Sequence, residues 1–280
     1  MFESDTFNLI KDKLHSAWGG EVKELFLSHK EIAKRAGYEN IFNVYKDYYP
    51  YYNFQEKLFE KECPISSFLL NRVEASIELY NENKIFDLME KIDYKFLGSK
   101  DKIKLKKIMD VLVEFSKKDK LNVIWDYVFD NNLFVEDDKL KEFKNKIEEN
   151  EGRKEFFENI MNLNYQEIKN LYKHVEKDSI FSTKHNTKGD EFENVLIIVG
   201  ERTWNNYNFP EYLTGNIEAL KNASTRVYDR TNHLFYVSCS RAIKNIAILY
   251  LNKQLSAGLT RVQEWFGSDN VISVNEFLEQ

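Results

Sequence analysis

The sequence has few cysteines and no long apolar segment. Cys63 and Cys239 are its only cysteines, which argues against a disulfide framework or a cysteine-rich zinc cluster. The longest apolar runs, such as Val195–Gly200 and Ile246–Leu251, have the length of strands and are too short to cross a bilayer. The acidic N-terminus has no apolar core of a signal peptide. These absences predict a reduced, cytoplasmic protein without a membrane span.

Proline and glycine are also scarce. Three prolines and ten glycines occur in 280 residues, whereas Lys, Glu, Ile, Leu and Asn are abundant, which favours a helix-rich chain. The length and the hydrophobic fraction of 42% are typical of a globular protein of one or two domains. The net charge of −6 argues against a surface that is basic overall. A local basic groove for nucleic acid remains compatible with it.

The first residues have the pattern of one β-α unit. Apolar side chains at helical spacing between Phe2 and Trp18 predict an amphipathic helix that ends at two glycines. Val22–Ser28 predicts a strand. His29–Ala36 predicts a short helix with Gly37 as its C-terminal cap. Such a unit is the repeating element of an α/β sheet.

The middle of the chain has a different pattern. The segment Tyr48–Tyr52 breaks the α/β pattern. Residues 65–178 then show almost only helical periodicity, with charged residues on the remaining helix faces. Leu97–Lys102 and Asn150–Arg153 are predicted to connect helices. Asp137–Glu149 carries both signs of charge and predicts a solvated helix face.

From Ser179 the α/β pattern returns. Strands are predicted at Ser179–Lys184, Asn194–Gly200, Asn245–Leu251 and Val271–Val274, and helices around Asn216–Asn222, Tyr228–Ile243 and Thr260–Phe266. The sequence therefore predicts an α/β fold whose sheet domain, residues 1–47 and 179–280, is interrupted by a helical insertion at 48–178.

The stretch from Ser182 to Val195 carries most of the chemistry. Thr183 and His185 alternate on one side of a strand end, where each can hydrogen-bond a phosphate oxygen. Lys188 adds positive charge, and Gly189 lets the backbone approach a ligand. The Glu191 carboxylate can accept from a sugar hydroxyl. Because open α/β sheets bind ligands at the carboxyl ends of their strands, the loop is predicted to lie there.

This stretch resembles motif V of UvrD/PcrA/Rep-like superfamily 1 DNA helicases, T-x-H-x-x-K-G-L-E-F-x-x-V. The matching positions are Thr183, His185, Lys188, Gly189, Glu191, Phe192 and Val195. Asp190 replaces the usual Leu. The resemblance implies that Thr183 and His185 contact single-stranded DNA and that Glu191 approaches the ribose of a bound nucleotide. Together with the chemistry above, it predicts Lys188 on the DNA side and Gly189 on the nucleotide side.

A second stretch resembles motif VI of the same family, R-L-x-Y-V-A-x-T-R-A-K. The matching positions are Leu234, Tyr236, Val237, Arg241 and Ala242, and they follow motif V by about 40 residues, as in the family. Ser240 stands in place of Thr, His233 in place of Arg, and Lys244 lies one position late. The resemblance implies that Arg241 is an arginine finger, a planar and permanently charged donor for the γ-phosphate of ATP.

The order of these segments is also similar to that of the family. UvrD-like enzymes have a second RecA-like domain of the P-loop NTPase type, called 2A, which a helical subdomain called 2B interrupts. The resemblance implies that residues 1–47 and 179–280 form 2A and that 48–178 form a 2B-like insertion.

The sequence contains no G-x-x-x-x-G-K-[ST] loop and no D-E-x-Q motif. The resemblance then implies the C-terminal half of an ATP-dependent helicase, partnered in cis or in trans by an N-terminal half that supplies the phosphate loop and the Mg²⁺ ligands. No metal site is predicted in this chain. The other implied partner is single-stranded DNA or a single-strand/double-strand junction, in a process such as DNA repair. The isolated chain is not expected to hydrolyse ATP.

Other interpretations remain open. A helicase-derived module that binds DNA or protein without catalysis would also keep these motifs. Taken singly, Thr183 and Lys188 are typical surface residues, His185 a satisfied loop or core histidine, and Arg241 a salt-bridge partner. The Tyr48–Tyr52 cluster can stack bases, but packing is the favoured interpretation.

Overall fold

A computed structural model describes residues 4–27, 29–49, 54–176, 181–182, 190–200, 207–214, 217–251 and 259–280. The chain divides into two compact units. A sheet unit comprises residues 1–35 and 179–280, and a helical unit comprises residues 36–178. In the described residues, no helix combines the length and apolar character that crossing a membrane requires.

The helices and strands follow one another along the chain with these bounds. The strands are β1 (Val22–Phe26), β2 (Phe181–Ser182), β3 (Phe192–Val199) and β4 (Ala242–Tyr250). The helices are α1 (Ser4–Trp18), α2 (His29–Ala36), α3 (Glu39–Tyr48), α4 (Phe54–Leu58), α5 (Pro64–Phe68), α6 (Ala75–Asn81), α7 (Ile85–Lys91), α8 (Ser99–Lys118), α9 (Leu121–Asp130), α10 (Asp138–Glu148), α11 (Glu151–Met161), α12 (Gln166–Glu176), α13 (Phe209–Thr214), α14 (Ile217–Ala223), α15 (Thr225–Cys239), α16 (Leu259–Phe266) and α17 (Val274–Glu279). A π-helical turn, Leu69–Glu74, joins α5 to α6, and a 3₁₀ turn, Ser268–Asn270, follows α16.

The sheet is parallel and has the strand order β2-β1-β3-β4. Residues 195–199 of β3 are an unbroken run of buried apolar side chains. Such a run is expected where a strand lies between two others and both faces are covered. β4 forms the edge of the described sheet and is more exposed, with Ile243 and Ile246 open to solvent. The α/β fold class predicted from the sequence is therefore correct.

The α15 helix packs its apolar side on the sheet and delivers the chain to β4. Its first turn is capped by Ser224, whose hydroxyl accepts from the Val227 amide at 3.3 Å. Leu234 and Phe235 are buried in the same core as Val195 and Ile197. This packing fixes where the helix ends, and the residues after Cys239 turn directly into β4.

A buried asparagine ties the amino ends of three strands together. The Asn194 side chain in β3 donates to the Gly19 carbonyl before β1 at 3.0 Å and accepts from Asn245 in β4 at 2.8 Å. Gly19 and Gly20 both have positive φ, a conformation in which glycine is not penalised. The predicted stop of α1 at these glycines is confirmed.

The helical unit contains α3 to α12. Its first helix is held by Glu167 of α12, whose carboxylate accepts from the Ile41 amide at 2.9 Å and from Asn40 at 2.7 Å. The rings of Tyr48 and Phe156 stack with 4.2 Å between their centroids. In the described part of the tyrosine cluster, Tyr48 therefore packs within the unit, as favoured. The unit begins at Ala36, whereas the predicted insertion begins at residue 48.

Three predictions of local structure are wrong. Val271–Val274 is not a strand, because the Ser273 hydroxyl accepts from the Glu276 amide at 3.1 Å and starts α17. The predicted connections at 97–102 and 150–153 are shorter than expected, because α8 begins at Ser99 and α11 at Glu151. The region between the two motifs, in which no helix before Asn216 is predicted, contains α13.

Candidate functional site

The ends of motifs V and VI meet at the start of two neighbouring strands. The amide of Phe192, the first residue of β3, donates to the carbonyl of Arg241 at 2.8 Å. Arg241 directly precedes β4, and Ala242 pairs with Phe192 in the sheet. Residues about fifty positions apart are thereby adjacent. Glu191 and Arg241, two of the predicted nucleotide-binding residues, lie at one edge of the sheet.

The Arg241 side chain is oriented by main-chain carbonyls. Its Nη1 donates to the Asp190 carbonyl at 3.0 Å, and its Nε donates to the Val237 carbonyl at 3.2 Å. Among the described residues no carboxylate forms an ion pair with it, and its Nη2 makes no hydrogen bond. The guanidinium is thus held in place, and within the described residues no anion matches its charge, an arrangement suited to a phosphate ligand.

Glu191 is exposed beside Arg241. Within the described residues it forms neither an ion pair nor a hydrogen bond, so its carboxylate is available as an acceptor. Glu193, two residues further along, is instead paired with Lys244 at 2.8 Å, and both side chains are exposed. Lys244, which lies one position after the lysine of the motif VI pattern, therefore has a partner in this chain.

This edge is not the one expected. The prediction that the motif V loop lies at the carboxyl ends of the strands is wrong for Asp190 and Glu191, which precede the first residue of β3. Ser182, on the other side of the loop, pairs with Leu25 near the carboxyl end of β1. The loop follows the carboxyl end of β2 and precedes the amino end of β3. Because the strands are parallel, its two described ends therefore lie toward opposite edges of the sheet.

Four predicted residues cannot be placed. Thr183, His185, Lys188 and Gly189 lie outside the residues that the structure describes. Their neighbours Ser182 and Asp190 are the nearest described positions.

The departures from the family pattern lie at exposed positions. Asp190 contacts Arg241 through its main-chain carbonyl, so replacing a Leu side chain leaves this hydrogen bond possible. His233 lies at an exposed position of α15, directly before the buried Leu234. Cys239 is partly buried, and burial raises the pKa of its thiol to about 11, which keeps it protonated and unreactive at neutral pH.

Helix α13, which was not predicted from the sequence, is hydrogen-bonded to α15. The Asn208 amide donates to the Thr231 hydroxyl at 3.0 Å, and the Tyr212 hydroxyl donates to the Asn232 side chain at 2.6 Å. Asn208 also accepts from the Glu211 amide at 3.2 Å, with Pro210 in the first turn. An Asn cap followed by proline is a helix-start signal, so α13 was detectable from the sequence.

No protein-family model matches the chain. A curated protein does: Gabija protein GajB of Bacillus cereus (strain HuB5-5), with 24% identity over 282 aligned positions. The chain is distantly similar to GajB. The alignment covers 87% of this chain and 41% of GajB, so the chain spans about two fifths of that protein's length. The similarity therefore extends well beyond the two motifs and includes sequence from both structural units.

Proposed function

We propose that this chain is the 2A/2B portion of a UvrD-like, ATP-dependent DNA helicase or translocase. Its sheet unit acts as the second RecA-like domain, and a separate domain with a Walker A loop completes the ATP site, in cis or in trans. The observation that carries the proposal is the Phe192–Arg241 hydrogen bond, because it brings Glu191 and Arg241 together at one sheet edge. The motif resemblance and the distant similarity to GajB support the same assignment.

Arg241 is proposed to stabilise the charge that develops on the γ-phosphate during hydrolysis. Its guanidinium is fixed by two carbonyls and has an unused Nη2 group within the described residues, which fits a bidentate phosphate ligand. Glu191 would accept from the ribose hydroxyls. Mg²⁺ would supply further charge neutralisation and would be held by the Walker A domain, since the resemblance assigns no Mg²⁺ ligand to this chain.

Thr183, His185 and Lys188 are proposed to hold the phosphate backbone of single-stranded DNA, and Gly189 to allow close approach of the backbone to the nucleotide. Closure of the two domains on ATP and their opening after hydrolysis would move the strand. The proposal requires these DNA contacts to be separable from the arginine finger.

The test combines this chain with a Walker A domain and measures DNA-stimulated ATP hydrolysis. Arg241→Ala is expected to lower kcat by about 10³-fold or more, while DNA binding changes by less than about threefold. Arg241→Lys keeps the charge without the planar donor pair and is expected to recover little of the rate. Lys244→Ala, at a neighbouring exposed ion pair, is the matched control and should leave kcat within about twofold.

An unchanged rate in Arg241→Ala would refute the finger assignment. The 280 residues alone are expected to bind DNA without hydrolysing ATP, because they contain no phosphate-binding loop. A different result would favour the non-catalytic binding module: the chain binds DNA, but no added Walker A domain gives ATP hydrolysis.

A further inference from the structure

The helical unit carries an apolar groove at a distance along the chain from both motifs. It has a volume of about 620 Å³ and lies between α6, α7 and α8. The buried side chains of Leu88 and Leu105 contribute to its lining. Ile85, Phe86 and Met89 of α7 line it as well. A concave apolar surface of this kind is suited to receive apolar side chains from a partner.

Large apolar side chains are exposed in and beside this groove. Phe86 is 86% exposed, and Leu97, in the segment that leads into α8, is 94% exposed. Ile103, on the first turns of α8, is 62% exposed. Single exposed apolar residues are ordinary on protein surfaces, but a cluster around a groove marks an interaction site.

The wall of the groove that α8 forms is basic although the chain is acidic. Residues 99–107 contain five lysines and one carboxylate, whereas the whole chain has a net charge of −6. Lys102 and Lys106 line the groove itself. Lys106 is paired with Asp110 at 2.8 Å, whereas Lys102 has no ion pair within the described residues.

The single carboxylate of this wall, Asp101, is already engaged. Asp101 accepts from the amides of Leu97 and Gly98 at 2.7 and 2.8 Å and thereby caps α8. The cap fixes the backbone at Leu97 and Gly98, directly before α8. The positive charge at this site is therefore weakly compensated from within the segment.

We propose that this groove binds an acidic amphipathic helix of a partner protein. The apolar face of such a helix would contact Phe86 and Met89, and its carboxylates would meet the lysines of α8. Exposed aliphatic side chains such as Ile85 and Leu97 favour a protein partner over nucleic acid. Nucleic acid would contact aromatic rings through its bases and lysines through its phosphates, and it would leave these aliphatic side chains without a partner. The proposal is independent of the ATP site.

The test selects binders from a displayed library of amphipathic helices of about 18 residues, five turns long. Apolar positions vary among Leu, Ile, Met and Phe, and polar positions vary between Glu and Lys. Selection against the whole 280-residue chain is expected to enrich Glu. Dissociation constants of the enriched peptides are then measured by fluorescence anisotropy.

Four variants identify the surface. Phe86→Ser and Lys102→Glu should each weaken binding of the enriched peptides by about tenfold or more. Val135→Ser and Lys139→Glu are matched controls, since both residues are exposed in the same unit and neither lines the groove. These two should change the dissociation constant by less than about twofold.

Failure to enrich any peptide, or enrichment of Lys at the polar positions, would overturn the proposal. So would binding that the groove variants leave unchanged. If no peptide is selected, binding of a DNA duplex to the chain is measured next. Duplex binding that Lys102→Glu abolishes would overturn the proposal in favour of a nucleic-acid surface.

Discussion

At the scale of single residues, Glu24 is a buried charge in the middle of β1. Its Oε1 lies 2.6 Å from the ammonium of Lys11, and its Oε2 lies 4.0 Å from Nε of Arg35. These two contacts of Glu24 join α1, β1 and α2, the three elements that begin the sheet unit. A carboxylate in such a position is tolerated only while its cations remain, because desolvation of a lone charge is costly.

Removing one partner of this pair is expected to destabilise the protein. Lys11→Met leaves the Glu24 carboxylate short of its closest cation and should lower the free energy of unfolding by about 3 kcal/mol. The measurement is the urea midpoint of the transition of the sheet unit, followed by circular dichroism.

Two further variants separate burial from charge. In the double variant Glu24→Leu with Lys11→Met, most of the lost stability should return, because apolar groups replace the whole pair. Glu193→Gln breaks the exposed pair with Lys244 and should change stability by less than about 1 kcal/mol. Equal losses from the buried and exposed pairs would contradict this account.

The sequence predicted candidate site residues but not the contacts that hold them. Glu191 and Arg241 were identified by motif resemblance, and the structure brings them to one edge. The carbonyl of Asp190 as an acceptor for Arg241 was not predictable, because main-chain acceptors have no residue signature. The role of Thr183 and His185 stays a prediction, since both lie outside the described residues.

At the scale of elements, the π-helical turn Leu69–Glu74 ends in a buried carboxyl group. Burial raises the pKa of Glu74 from 4.5 to about 7, against the lowering effects of the Tyr165 hydroxyl and Lys169. Glu78 raises it further, and Lys173 lowers it. Between these two pH values the folded protein holds a proton that the unfolded chain has released, so stability falls as the pH rises.

Glu74→Gln is expected to remove this pH dependence. The wild-type protein should lose at most about 3 kcal/mol of stability between pH 4.5 and 8 through this group, and the variant should not. Glu155→Gln, at an exposed position of α11, is the control and should keep the wild-type slope. Urea midpoints at pH 5 and pH 8 measure the difference, and parallel slopes in wild type and Glu74→Gln would contradict it.

Elements with a strong pattern were predictable, and short capped elements were not. β3 is a continuous apolar run and α2 lies between a strand and a glycine, so both were predicted near their observed bounds. The helix α15 was predicted to reach Ile243 but ends at Cys239, because β4 begins at Ala242. Helical and strand patterns overlap in short apolar segments, and pairing with β3 decides between them here.

At the scale of the whole molecule, the chain divides into two compact units, and the sheet unit is expected to fold without the helical one. In a variant that replaces residues 36–178 with a short Gly-Ser linker, β1 should still pair with β3. A cooperative thermal transition and dispersed amide resonances would bear this out. A variant with the same deletion and Ile197→Asp, which places a charge in the sheet core, should lose both signals.

The parallel pairing of β1 with β3 also has a consequence for the order of folding. The Asn194 side chain and the Glu21 carbonyl that it contacts are 173 positions apart in the chain, and the whole helical unit is synthesised between them. Closing so long a loop is entropically unfavourable, whereas the helical unit is built largely from helices that are close in sequence. During translation, β1 therefore emerges early, and both of its partner strands, β2 and β3, are synthesised only after the helical unit. A chaperone that binds extended apolar segments has this whole interval in which to bind Val22–Phe26.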